Sequence, residues 1–199
     1  RLRELWDSLR AHLKAWRGQD GWTGCLAGSA LSTAVASFAL EQVGSAEARH
    51  SGRRGLAWLG ANRNRDGGWG DTPRSAANTS TTLLAWAALS YVAHEDGRIR
   101  QAAEGAEAWI AQAVGGTTPD TLSRAVLEHY GADRSFSVPI LTMCALAGKL
   151  GEGEEAWQSI PPLPFELAVL PARVYRRIGL SVVSYALPAL IAMGLVRHR

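Results

Sequence analysis

The chain has 199 residues, 47% of them hydrophobic, a formal net charge of +3 and two cysteines, Cys25 and Cys144. That length supports one domain or a piece of one with a real core, and two thiols fit reduced cysteines in a cytosolic chain better than a disulfide scaffold. The charge is mild and is expected to be spread out, and no basic stripe with interleaved exposed aromatics is expected, so nothing argues for a nucleic-acid partner.

Leu2 to Trp16 reads as an amphipathic helix with Leu2, Leu5, Trp6, Leu9, Leu13 and Trp16 on one stripe. Arg1 to Arg17 is Arg-rich and of mixed charge and lacks the apolar run of a signal peptide. With no initiator Met, the chain reads as a processed or trimmed piece. Gly18 to Gly28 is a first turn, Ser29 to Val43 a helix, and Gly52 to Ala61 a helix leading into Arg65-Asp66-Gly67-Gly68-Trp69-Gly70-Asp71. In that stretch the glycines suit a turn leaving a helix, Asp66 suits a turn-capping acceptor, and Trp69 brings a large ring with one N–H to satisfy. Ser80 is expected to cap the next helix, which runs to Val92 with Leu83, Leu84, Trp86, Ala87 and Tyr91 at helical spacing. Further helices are expected over Gln101 to Val114, Pro119 to Tyr130 and Ser135 to Leu150, with Pro139 in the first turn of the last. Ile160 to Phe165 is an extended Pro-rich connector, followed by a short helix that stops at Pro171 and by Arg173, Arg176 and Arg177. Ile178 to Val196 closes the chain with 19 uncharged residues, the length of a membrane span. Gly179, Ser181, Ser184, Tyr185, Pro188 and Gly194 dilute it, so a buried helix, apolar all round, is preferred. No strand is expected, and the fold class is all-α.

The pieces repeat. Trp69 follows Trp22 by 47 positions, Ser80-Thr81 follows Ser32-Thr33 by 48, and Gly115-Gly116 follows Gly67-Gly68 by 48. The third copy has Thr117 in place of the Trp. Two helices per unit at such a period indicate a helical repeat array.

These residues resemble the N-terminal part of the squalene-hopene and oxidosqualene cyclases, the class II triterpene cyclases. That family's hallmark is an apolar helix, a Gln, then Gly-x-Trp. Gln19-Asp20-Gly21-Trp22 is similar to it, and so is Asp66-Gly67-Gly68-Trp69-Gly70, where Arg63 stands in place of the Gln. Ala108-Trp109-Ile110, Gly115-Gly116, Ala145-Leu146-Ala147-Gly148, Trp157, Ile160-Pro161, Pro164-Phe165-Glu166-Leu167 and Tyr185-Ala186-Leu187-Pro188-Ala189-Leu190 follow in the family's order.

The resemblance implies an α/α toroid, a barrel of inner and outer helices, with this chain as a single N-terminal domain. A second, C-terminal barrel, in cis or in trans, would complete a cavity in which a linear polyprenoid such as squalene is cyclised, an isomerase reaction without cofactor or metal. It also implies a monotopic protein on the cytoplasmic side of a bacterial-type membrane, with Arg173, Arg176 and Arg177 beside the headgroups or, equally, on an ordinary solvated face. As structural repeat residues it marks Gln19, Gly21, Trp22, Asp66, Gly68 and Trp69. By alignment on Ala145-Leu146-Ala147-Gly148, Met143 stands where hopene cyclases have a cavity-lining Trp, and Ile140 lies one turn earlier; both also read as plain core residues. Glu166 reads as a cap or backbone anchor.

Protonation needs a carboxylic acid kept protonated by its neighbours. Asp7, Asp20, Asp66, Asp71, Asp96, Asp120 and Asp133 stand apart, so neither the family's Asp-x-Asp-Asp nor an Asp-Asp-x-x-Asp occurs. This chain alone is therefore expected to be inactive, with no catalytic residue of its own. A protein prenyltransferase β subunit, with the same toroid, would need Asp, Cys and His zinc ligands, and no Asp-x-Cys is present. His12, His50, His94, His129 and His198 form no i, i+4 pair. The alternative is a non-catalytic helical-repeat module that binds a lipid or protein partner. About four units make an incomplete ring, which should expose an apolar edge.

Overall fold

The computed structural model describes residues 1–19, 21–23, 26–162, 173–174 and 187–198. Nine helices run through them: α1 (Leu2–Ala15), α2 (Ala30–Val43), α3 (Ala46–Ala61), α4 (Thr79–Val92), α5 (Gly97–Val114), α6 (Pro119–Tyr130), α7 (Arg134–Leu146), α8 (Gly153–Gln158) and α9 (Leu187–His198). The described residues contain no strand, only an isolated bridge between Gly18 and Gly21. The all-α expectation holds. Asp20, Cys25, the connector beyond Pro162, Glu166, Pro171, Arg176, Arg177 and the first part of the closing segment lie outside the described residues.

Two rows of helices follow from residue size and pattern. Nearly all of α4 is buried, from Ser80 through Leu89 and again at Val92. Ala85, Ala87 and Ala88 let neighbours approach it on several sides. α4 packs on α2 and on α7, and α7 packs on α9, so α2, α4, α7 and α9 succeed one another in one row. The second row is one-sided. α3 buries Ala48, Gly52, Leu56 and Leu59, and α5 buries Ile99, Ala102, Ala103, Ala106 and Ile110, both at helical spacing. α5 packs on α3 and on α6, and the hairpins α2–α3, α4–α5 and α6–α7 join the rows.

Several boundaries differ from the sequence expectation, each for a local reason. α3 starts six residues before Gly52, capped by the Ser45 hydroxyl on the Ala48 amide at 3.2 Å. Gly52 marks a close approach, not a helix start: a Cβ there would lie 3.2 Å from the Ser37 carbonyl of α2. α4 is capped by Asn78, whose side-chain oxygen accepts the Thr81 amide at 2.9 Å. Ser80 points inward instead and shares a 2.8 Å hydrogen bond with the Tyr130 hydroxyl of α6. α5 starts at Gly97, because Asp96 caps it on the Arg98 amide at 2.7 Å. α7 starts at Arg134 under an Asp133 cap, so Pro139 is its sixth residue and not in its first turn, and the helix ends at Leu146, short of Leu150.

The expected apolar stripe of α1 forms, but it covers nothing. α1 has no buried residue, and its six stripe side chains are between 55% and 86% exposed.

Candidate functional site

The central turn is held by bonds that a Trp, a Thr and an Asn are needed to make. Gly67 adopts φ +96° against the Gly105 carbonyl, a backbone state other residues rarely take. Its amide donates to the Asn64 carbonyl at 3.0 Å, and the Gly68 amide donates to the Asp66 carboxylate at 3.1 Å. A Cβ on Gly68 would meet Ala77 at 2.7 Å and the Trp109 ring at 2.9 Å, so only glycine fits. Trp69 is 1% exposed. Its indole N–H donates to the Leu59 carbonyl near the end of α3 at 3.0 Å. Its backbone amide donates to the Thr82 hydroxyl at 3.0 Å, and that hydroxyl donates back to the Trp69 carbonyl at 3.2 Å. Asp71 accepts from the Asn78 side chain at 2.8 Å and from the Thr81 hydroxyl at 3.1 Å. Its carboxylate is therefore committed to bracing the start of α4.

The first turn carries the same indole bond in a looser setting. The Trp22 N–H donates to the Leu13 carbonyl of α1 at 2.6 Å, while the ring stays 57% exposed with the Arg17 guanidinium 5.4 Å from its centroid. Gly21 takes φ +107° in the bridge to Gly18, and Gln19 is exposed. At Gly115 the turn after α5 also enters positive φ, +87°, but Thr118 caps α6 directly and no indole fills the gap. Arg63 lies against Gly105 and donates to the Gln101 carbonyl at 3.4 Å.

Met143 and Ile140 are 7% and 5% exposed on α7, inside the main core cluster, where α7 meets α4. The same region holds three polar features that sequence reasoning missed. The Lys149 ammonium sits 4.1 Å over the Trp86 ring. Burial pushes Lys149 below its ordinary value, against the pull of Glu107 and then Cys144. Burial pushes the Cys144 thiol up to about 12, with Lys149 opposing, so it is an unreactive thiol at neutral pH. The Trp86 indole nitrogen is buried and finds no hydrogen-bond partner. One face of Trp86 is thus occupied by the Lys149 ammonium. No spacing rule joins Lys149 to Trp86 across 63 positions, and only the fold brings them together.

Two acids share one arginine. Glu41, buried on α2, accepts the Arg53 Nε–H at 3.0 Å, and Arg53 also reaches Glu95 at 2.6 Å. At the start of α4, Tyr130 stacks on Phe136 with centroids 5.8 Å apart. A groove of about 810 Å³ between α3 and α5 has Arg53, Arg54, Arg63 and Arg98 above Leu56 and Ile99. A hydrocarbon gains little from such a rim. Arg173 is helical and exposed. Among the described residues no group of three His, Cys, Asp or Glu side chains could hold a metal ion, and no helix is long and apolar enough to cross a membrane. The chain matches no protein-family model, no curated protein and no solved structure.

Proposed function

We propose that this chain is the N-terminal barrel region of a squalene-hopene-type terpene cyclase, forming one wall of the polyprenoid cavity while the acid that starts the cascade lies outside it. The observation that carries the reading is the recurrent indole bond. Trp22 and Trp69, one repeat apart, each donate to a carbonyl near the end of the preceding helix. A brace that recurs with the sequence period is what a toroid of repeated helix pairs requires. The contact successions α2–α4–α7–α9 and α3–α5–α6 support a reading with an inner and an outer layer. In this reading the wall facing the polyprenoid is that of α7 around Ile140 and Met143. In the same reading Arg173 faces the bilayer from which the substrate enters, and the resemblance alone assigns Arg176 and Arg177 to the same role.

A second reading, a non-catalytic repeat module, is favoured by one observation: Met143 and Ile140 are close-packed in the core of this chain. Incubation of the chain with squalene, followed by mass spectrometry of the extract and by equilibrium binding, separates the two. The cyclase reading predicts saturable squalene binding and no polycyclic product. A polycycle formed by this chain alone would overturn the placement of the acid. Absence of squalene binding would favour the module.

A further inference from the structure

α1 is an amphipathic helix whose apolar face has no partner among the buried residues of the fold. Leu2, Leu5, Trp6, Leu9, Leu13 and Trp16 are 86%, 58%, 64%, 55%, 56% and 74% exposed. Six large apolar side chains on one stripe are more than the scattered exposed hydrophobics of an ordinary surface. Trp22, fixed beside the stripe by its bond to the Leu13 carbonyl, and Leu26, 98% exposed, extend it.

The charge around the stripe says what covers it. Residues 1–17 hold five Arg or Lys and two Asp or Glu, a net +3, which equals the formal charge of the whole 199-residue chain. The remaining residues are therefore neutral on balance, so the positive excess lies on α1 together with Arg1 and Arg17 that flank it, and is not spread along the chain as expected. Arg3 and Arg10, seven residues and two helical turns apart, lie along one flank of the stripe and His12 on the other, while Arg17 follows the end of α1 with its guanidinium at the Trp22 ring. α1 has 14 residues, about 21 Å at 1.5 Å per residue, short of the ~30 Å hydrocarbon core. It is too short to span and has the form of a helix that lies in the plane of an interface, with Leu and Trp toward the acyl chains and Arg and Lys among the headgroups.

We infer that α1 is an interfacial helix that docks the protein onto an anionic lipid bilayer through its Leu/Trp stripe, with Arg3 and Arg10 on the headgroup phosphates. This goes beyond the cavity wall proposed above and does not rest on it. The element is α1, not the Arg173 region, and it requires no polyprenoid. A protein surface as partner would have to match both the stripe and its cationic border, whereas an anionic bilayer offers apolar depth and negative charge at once.

The test uses the whole chain with unilamellar vesicles of phosphatidylcholine alone or mixed with phosphatidylglycerol. The expected result is sedimentation with the anionic vesicles, weak binding to neutral ones, and release as salt is raised. Leu5→Glu/Leu9→Glu should lower affinity about tenfold or more, with an unchanged melting curve because α1 buries no residue. Arg3→Glu/Arg10→Glu should remove the preference for anionic vesicles. The inference is overturned if the chain ignores anionic vesicles, or if Leu5→Glu/Leu9→Glu binds them as well as the parent. It is also overturned if the stripe instead drives a concentration-dependent dimer, lost in Leu5→Glu/Leu9→Glu, without vesicle binding. Squalene binding is measured without vesicles, so failure of either inference leaves the other standing.

Discussion

Trp69→Phe and Trp22→Phe make the same chemical change in two Gly-Trp turns, and their costs should differ several-fold. At position 69 the ring is 1% exposed and its N–H meets the Leu59 carbonyl at 3.0 Å. Removing that N–H costs about 1 kcal/mol, and the smaller ring leaves a void that adds about 1–2 kcal/mol, for a total of about 2–3 kcal/mol. Trp69→Ala should reach about 3–5 kcal/mol. At position 22 the ring is 57% exposed, so no void is sealed in and only a solvent-exposed hydrogen bond is lost. There the cost should be no more than about 1 kcal/mol. Urea denaturation followed by far-ultraviolet circular dichroism measures both. If Trp22→Phe destabilises as much as Trp69→Phe, the central turn is not the brace described here.

Three further outcomes follow from the same geometry. Thr82→Val keeps the shape but removes the hydroxyl that serves both the amide and the carbonyl of Trp69, so urea titration should show a loss of about 1–3 kcal/mol. Arg53→Met leaves Glu41, whose side chain is 4% exposed, without its cation; because Arg53 itself is partly solvated, the cost should be about 2–3 kcal/mol, below that of a fully buried pair, and Glu41→Gln/Arg53→Met should recover part of it. Cys144 has its folded-state value raised from 9.0 to about 12, so the unfolded chain sheds this proton first. Its contribution to stability is whole below pH 9 and falls as pH rises toward 12; Cys144→Ala should flatten that part of the thermal-stability profile, and native Cys144 should resist alkylation at neutral pH until the chain is unfolded.

Local chemistry was legible wherever a residue acts on its own neighbours. The bounds of α6 coincide with the expectation because Pro119 at its start and Gly131 after its end mark both limits. The stripe of α1 and the small-residue pattern of α4 were equally clear. Signals with two meanings misled. Gly52 and Ser80 read as helix-start residues, but both are spent on tertiary packing, Gly52 against Ser37 and Ser80 on Tyr130. Asn78 and Asp96, two to five residues upstream of the expected starts, were the caps, and an Asx residue before an apolar run was the available signal. The repeat suggested that the two Trp turns are alike; they share the indole bond but not the burial, since only the second is closed over by a neighbouring hairpin, where Trp109 and Gly105 lie against it. Lys149 over Trp86 was not legible at all, because it depends on how α7 approaches α4.

The central claim is that α7 lines a hollow for a linear polyprenoid whose acid lies elsewhere. A photoreactive squalene analogue crosslinked to the chain and mapped by peptide mass spectrometry tests it most directly. The account predicts label on α7 between Ile140 and Met143, displaced by excess squalene. Label confined to α3 and α5, or none that squalene displaces, would contradict it.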